Sequence, residues 1–275
     1  MKQRRAIIFI DVESNLEGPW RDAYDFVRGI DTIRGILARY RVPAVFNVCG
    51  QLLEAHAALF RALELEGHEA ALHGWRHENL RLLGADELRA TLQRAQGTFG
   101  NILGHAPKGF RAPWLDYDDR LTAWLSERDF VWTSHRHMAF RERFDSPGLR
   151  PELRPGRRLA WWWSAVREQR FDSAPCLAGR GLRDIPLTSS MDGELLGLVS
   201  PLQASPALIT DYCLAAWMAQ AARHRDLFTL NVHDWLMATA NRPPLLAAAV
   251  AGLQERGFTI VTATTFLKEL DADAG

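Results

Sequence analysis

An α/β fold with a mostly parallel sheet is predicted from three features of the sequence. Short apolar runs alternate with longer amphipathic segments along most of the chain. Pro and Gly fall at the joints between them, and the pattern at the start returns at the end. The 275 residues are 47% apolar, enough for a sizeable core and within the range of one α/β barrel. Such alternation means parallel strands with helical crossovers, in a sheet that is open or closed into a barrel.

Residues 6–10 read as a buried strand, and 30–40 have helical spacing through Ile30, Ile33, either Ile36 or Leu37, and Tyr40. Pro43 ends that helix and introduces a strand at 44–48. A helix over 52–65 is stopped by Gly67, and a strand at 69–72 follows. Residues 86–99 read as a helix capped by Asp86. Next come a strand at 109–112, a helix at 119–127 and a strand at 130–133. The chain closes with a strand at 227–232, a helix at 243–256 with Pro at its start, and a strand at 259–261. Residues 146–158, rich in Pro, Gly and Arg, read as an exposed loop, and 182–199 carry few helix signals before Asp211. A single unit over 1–275, less regular at about 135–205, is expected.

Lys+Arg and Asp+Glu both number 33, so no bulk charge draws the chain to nucleic acid or membrane. All but Lys2, Lys108 and Lys268 of the basic residues are arginine, a bias that surface ion pairs absorb. Cys49, Cys176 and Cys213 are odd in number and far apart, as reduced thiols would be. The apolar run after Arg5 is interrupted at Asp11, so it reads as a first strand and not a signal peptide. No segment approaches the ~18–20 apolar residues of a membrane span.

Ligands of parallel α/β folds gather beyond the carboxyl ends of the strands. Four strand ends here carry polar residues in turn. The first ends in Asp11-Val12-Glu13, two carboxylates that can both face a site, or one that simply caps the next segment. The third ends in His73-Gly74-Trp75-Arg76-His77. On a helical turn these two His share a face about 6 Å apart along the axis, and two imidazoles can converge on one ion. Gly109-Phe110-Arg111-Ala112-Pro113-Trp114 places an Arg where it can orient a carboxylate by a bidentate pair. Asn231-Val232-His233-Asp234-Trp235 sets a His beside an Asp, which favours an imidazolium that can act as an acid. Each residue alone has an ordinary structural reading. Together they supply an ion, a base, an orienting cation and an acid, the inventory for metal-assisted hydrolysis of an unactivated carbonyl.

In this order the motifs resemble those of the polysaccharide deacetylase superfamily, also called the NodB-homology or family 4 carbohydrate esterase fold. Gly67-His68-Glu69 also resembles that family's entry to its histidine strand, and the likeness runs from about residue 6 to 265. Ile185-Pro186-Leu187-Thr188, followed by Asp192 and Glu194, is similar to the branch that deformylates a lipid-linked formamido-arabinose.

The resemblance implies a distorted (β/α)7-type barrel holding one divalent ion, with zinc expected. It implies Asp11 as general base, Arg111 as the residue orienting it and His233 as general acid. Glu13, His73 and His77 are the implied metal ligands, Glu13 standing where the family usually has Asp. Trp75, Trp114, Asp192 and Asp234 are expected to face the substrate. That substrate would be an N-acetylated or N-formylated amino sugar in a glycan or lipid-linked saccharide. The expected location is the cytoplasm, peripheral to the membrane if the sugar is lipid-linked. Two other readings are hydrolysis of a non-sugar amide or cyclic ureide, and a non-catalytic carbohydrate-binding relative. Trp161 and Trp163 would share a strand face and could stack on a sugar or pack in a core, and Arg154–Arg158 could meet a phosphate or stay solvated.

Overall fold

The computed structural model describes residues 3–14, 24–136, 175–199, 206–238 and 242–274. The expectations for 146–158 and for Trp161–Trp163 fall outside these residues.

Seven parallel strands lie side by side in the order β7-β5-β4-β3-β2-β1-β8. They are β1 (Arg4–Val12), β2 (Val45–Val48), β3 (Glu69–Leu72), β4 (Gly109–Phe110), β5 (Trp132–Thr133), β7 (Leu182–Asp184) and β8 (Leu227–His233). β6 (Cys176–Gly179) runs antiparallel to β7 at one edge. β9 (Phe258–Ile260) pairs with residues 4–6 of β1, while β2 pairs with residues 9–12. The path of seven is the expected barrel.

Between the strands run helices whose ends follow local rules. α1 (Phe26–Tyr40) starts where the Asp25 carboxylate accepts the Arg28 N–H, and it ends at left-handed Arg41. It buries Ile30, Ile33 and Leu37 of the predicted spacing, with Phe26 added one turn earlier and Tyr40 only partly covered. The expected helix over 52–65 is two, α2 (Gly50–Ala55) and α3 (Ala57–Leu65), broken at His56 where φ is −128°. α4 (Ala85–Leu103) has Gly84 at its cap, with Asp86 inside the first turn, where its charge meets the helix dipole. α5 (Asp119–Ser126) follows, capped by Asp118. The irregular region hides α6 (Asp192–Val199), and α7 (Pro206–Ala221) begins earlier than expected. α8 (Asp234–Ala238), α9 (Pro243–Glu255) and α10 (Ala263–Ala274) complete the chain.

Period-two alternation divides β1 between two cores. Ala6, Ile8, Ile10 and Val12 pack outward under the helices. Ile7 and Phe9 pack inward with Val45, Ala71, Trp132 and Leu227, and α10 adds Ala263, Phe266 and Leu267 to this plug. Gly109 is required beside it, because a Cβ there would lie 2.0 Å from the Trp132 ring. Continuing the inward parity past the plug, β1 reaches Asp11 and Glu13, β2 reaches Asn47, β3 His73, β4 Arg111, and β8 Asn231 and His233. The polar residues therefore form the next layers of the same barrel interior.

The barrel is joined between β7 and β8 by a strap, residues 186–189, and not by a regular ladder. Thr188 N donates to Thr229 Oγ1 and Thr229 N to Thr188 Oγ1, each at 2.8 Å. Ser189 N donates to Thr229 O at 3.1 Å. Beyond the strap, α7 holds the chain through Trp217 Nε1, which donates to Ser190 O, and Gln220, which bonds both Ser190 N and Ser190 Oγ.

Candidate active site

Glu13, His73 and His77 converge at the carboxyl end of the barrel, each offering a ligand atom within 4.8 Å of the others. Glu13 Oε2 lies 2.7 Å from His77 Nε2 and 3.7 Å from His73 Nε2. The two imidazoles meet by a different route from the expected helical turn. The segment after β3 is an irregular turn with Gly74 at φ 73° and His77 at φ 66°. The Glu78 carboxylate ties it by accepting the Trp75 and Arg76 N–H groups at 3.0 and 2.9 Å.

Whether these three residues suit a divalent ion can be tested on their hydrogen bonds. His73 Nδ1 lies 3.0 Å from the carbonyl of Arg111, so that nitrogen carries the proton and Nε2 turns a bare lone pair to the centre. Glu13 Oε1 accepts from Trp235 Nε1 at 2.9 Å. Its Oε2 is buried with no aligned donor, an arrangement that is costly unless a cation completes it. Two imidazoles and a carboxylate make the open donor set of catalytic zinc sites. The residues fit the ion.

Asp11 sits one layer deeper, 3% exposed. Its Oδ1 accepts from Asn47 Nδ2 at 2.7 Å and its Oδ2 from Asn231 Nδ2 at 3.1 Å. Burial pushes its carboxyl up, but Arg111, His73, His233 and the Asn47 bond outweigh this and hold it below the usual range. Glu13 is likewise buried, yet His233, His73 and His77 bring it well below the ordinary carboxylate value. Both are anions at neutral pH.

Arg111 does not make the expected bidentate pair. Its Nε is 3.5 Å from Asp11 Oδ1, while Nη1 donates to Asn231 Oδ1 at 2.8 Å and Nη2 to Ser134 Oγ at 3.1 Å. The guanidinium also lies over the Phe9 ring, 4.5 Å from its centroid.

The partner of His233 is not the adjacent Asp234. Asp192, at the start of α6, accepts from His233 N at 2.8 Å and stands 2.6 Å from His233 Nδ1. Burial works against charging this imidazole, but Asp192 and Glu13 together raise it well above its ordinary value. His233 Nε2, 4.0 Å from Glu13 Oε1, faces the centre.

Three residues expected to face the substrate lie elsewhere. Asp192 is fully buried and serves His233. Asp234 is fully buried and accepts the backbone N–H groups of Glu13 and Ser14, so it shapes the turn that carries Glu13. Burial and the neighbouring Glu13 push its carboxyl up to about 7. Trp75 points outward into the core, 4% exposed, against Gly50 and beneath the Arg94 guanidinium. Trp114 does flank the centre, 40% exposed, with its ring 4.9 Å from that of His77.

Asn47, Ser134 and Glu78 were not foreseen. Only Asn47 had a readable signal, a lone amide in an otherwise apolar strand on the parity of Val45.

A polysaccharide deacetylase family model matches residues 22–130, which include His73, His77 and Arg111. The Helicobacter pylori peptidoglycan deacetylase is 26% identical over 104 residues, 38% of this chain and 36% of that protein. The Bacillus cereus peptidoglycan-N-acetylglucosamine deacetylase is 26% identical over 95 residues, 34% of each chain. The chain thus spans about a third of the length of these two relatives. Among solved structures, a Mycobacterium smegmatis protein assigned as a polysaccharide deacetylase superposes with TM-score 0.71 at 20% identity, covering 99% of this chain and 92% of the other. The Streptomyces lividans family 4 carbohydrate esterase does so with TM-score 0.56 at 15% identity, covering 95% and 93%. The fold is that of these two solved structures. Among the described residues, no helix is long and apolar enough to cross a membrane.

Proposed function

We propose that the chain is a single catalytic unit, a metal-dependent hydrolase that removes an N-acyl group from an amino sugar in a glycan. The observation that carries this reading is the convergence of Glu13, His73 and His77 beside a buried carboxylate and a carboxylate-bound imidazole.

Held by Glu13, His73 and His77, a divalent ion, for which zinc suits the donor set, would supply Lewis acidity to the acyl oxygen and lower the pKa of a water. Asp11, kept anionic by Arg111 and its neighbours, accepts the proton of the attacking water. His233 donates a proton to the departing amine, and Asp192 holds the imidazolium in line for it. Trp114 walls one side of the centre. Water adds to the acyl carbon and the C–N bond breaks, leaving a carboxylate and a free amino sugar.

Ile185-Pro186-Leu187-Thr188, the segment similar to the formamido-arabinose branch, forms the turn out of β7 and the strap, which is an architectural task. Acetyl and formyl substrates, free or lipid-linked, therefore both belong in the assay. Zinc-loaded protein is incubated with N-acetylated and N-formylated amino-sugar oligomers, and released acetate and formate are measured. Hydrolysis by the native chain, with loss of both bound metal and hydrolysis in His73→Ala, is expected. Survival of both in that variant refutes the assignment.

A further inference from the structure

Asp11 is held in an unusual way for a buried carboxylate with an arginine beside it. The Arg111 Nε, its nearest guanidinium nitrogen, is buried and has no aligned acceptor. Each of the two carboxylate oxygens instead accepts from a different side-chain amide, Asn47 from β2 and Asn231 from β8. Asn47 stands opposite Asp11 in the β1–β2 register, and Asn231 stands opposite Phe9, one inward position below, in the β1–β8 register. The two amides thus grip the carboxylate from both neighbouring strands. Both are fully buried.

We propose that Asn231, together with Asn47, is a positioning residue that fixes the plane of the Asp11 carboxylate and links it to Arg111. The proposal rests on the function proposed above, in which Asp11 is the base.

The chemistry of position 231 is restrictive. Its Oδ1 accepts from Arg111 Nη1 at 2.8 Å and its Nδ2 donates to Asp11 Oδ2 at 3.1 Å. The guanidinium only donates and the carboxylate only accepts, so the amide orientation is dictated by its neighbours. A side chain there must offer an acceptor to one and a donor to the other without a charge of its own. Leu offers neither, and Asp would set a second anion against Asp11. The same bridge leaves each Asp11 oxygen one amide bond and a remaining lone-pair direction, and rotation about its Cβ–Cγ bond would break both amide bonds at once. A base must be held within a fraction of an ångström of its proton, and this clamp supplies that constraint.

The test uses zinc-loaded full-length Asn231→Leu and Asn47→Leu, with Asn231→Ser taking the place of the first if it does not fold. The proposal expects kcat to fall about 100-fold, the size of effect a displacement near 1 Å produces, with KM and metal content unchanged. A kcat within twofold of the native value overturns it. So does a rise in KM alone, which would make Asn231 a substrate contact. A second measurement does not need turnover: urea unfolding midpoints of Asn231→Leu, Asp11→Ala and the double variant. Non-additive midpoints are expected, and additive ones overturn the clamp. If the native chain hydrolyses no amide, the proposed function fails, and the unfolding cycle alone decides whether Asn231 holds Asp11.

Discussion

Asp192 meets His233 twice, through its backbone N–H at 2.8 Å and its Nδ1 at 2.6 Å, across 41 residues of sequence. One carboxylate thereby fixes the ring's orientation and, with Glu13, favours its protonated form. The sign of the pH dependence follows. The folded value of His233 is raised, so its acid form is present below that value and is lost as pH rises through it. Asp192→Asn removes the charge that raises it. The alkaline limb of kcat/KM should move to lower pH, and kcat should fall about 100-fold, the lower end of general-acid effects. A pH–rate profile of both proteins checks this, and an unmoved alkaline limb would contradict it.

Removal of the ion should be felt as stability, because Glu13 Oε2 is buried without an aligned donor. At a free zinc concentration of a hundred times Kd, binding to the folded state adds about 2.7 kcal/mol. Thermal melts with and without chelator should therefore differ for the native chain. They should coincide for Glu13→Gln, while Asp11→Asn should keep the difference, since Asp11 accepts from two amides and is not in the ligand triad.

Acid should unfold the protein in a defined window. Burial lowers His224 to about 4 and, with Arg111 and His73, lowers His135 to about 3. Unfolded imidazoles titrate near 6.5, so the unfolded state binds more protons between these values. Stability is full above about 6.5 and declines as pH falls toward 4 and then 3. His224→Gln should flatten the first part of that decline in urea unfolding measured from pH 7 to 4, and an unchanged slope would count against it.

Trp75 distinguishes a core residue from a sugar contact. It is 4% exposed and packs against Gly50. Trp75→Ala should lower stability by about 3–5 kcal/mol. At a temperature where the variant remains folded, KM for the glycan should be unchanged. A raised KM with native stability would restore the substrate reading.

Much of this was legible along the chain because parity carries it. Ile7, Phe9 and Asp11 share one face of β1 and Glu13 keeps the same parity one residue past its end, so an apolar plug and a carboxylate pair are written in alternation. The motif residues from β1, β3, β4 and β8 do come together. What sequence could not give were the partners chosen by topology. Asp234 is next to His233 in sequence, yet α8 begins there and turns its carboxylate back to the Glu13 and Ser14 amides. Asp192 arrives from the strap instead. The His73–His77 spacing suits a helical turn, but two left-handed residues bring the rings together by a turn that no periodicity predicts. Trp75 lies inside the same motif and still faces outward, because a turn, unlike a strand, has no fixed alternation.

The joint at residues 186–189 divides responsibility within the barrel. Glu13, His73 and His77 lie just beyond the ends of β1 and β3, strands bonded through β2 by ordinary ladders. Asp192, the carboxylate partner of His233, is delivered by chain that has first to cross a seam stitched by two threonine hydroxyls. In the proposed reading, loosening that seam would leave Glu13, His73 and His77 in place while withdrawing Asp192 from His233, so metal binding and turnover would be separable.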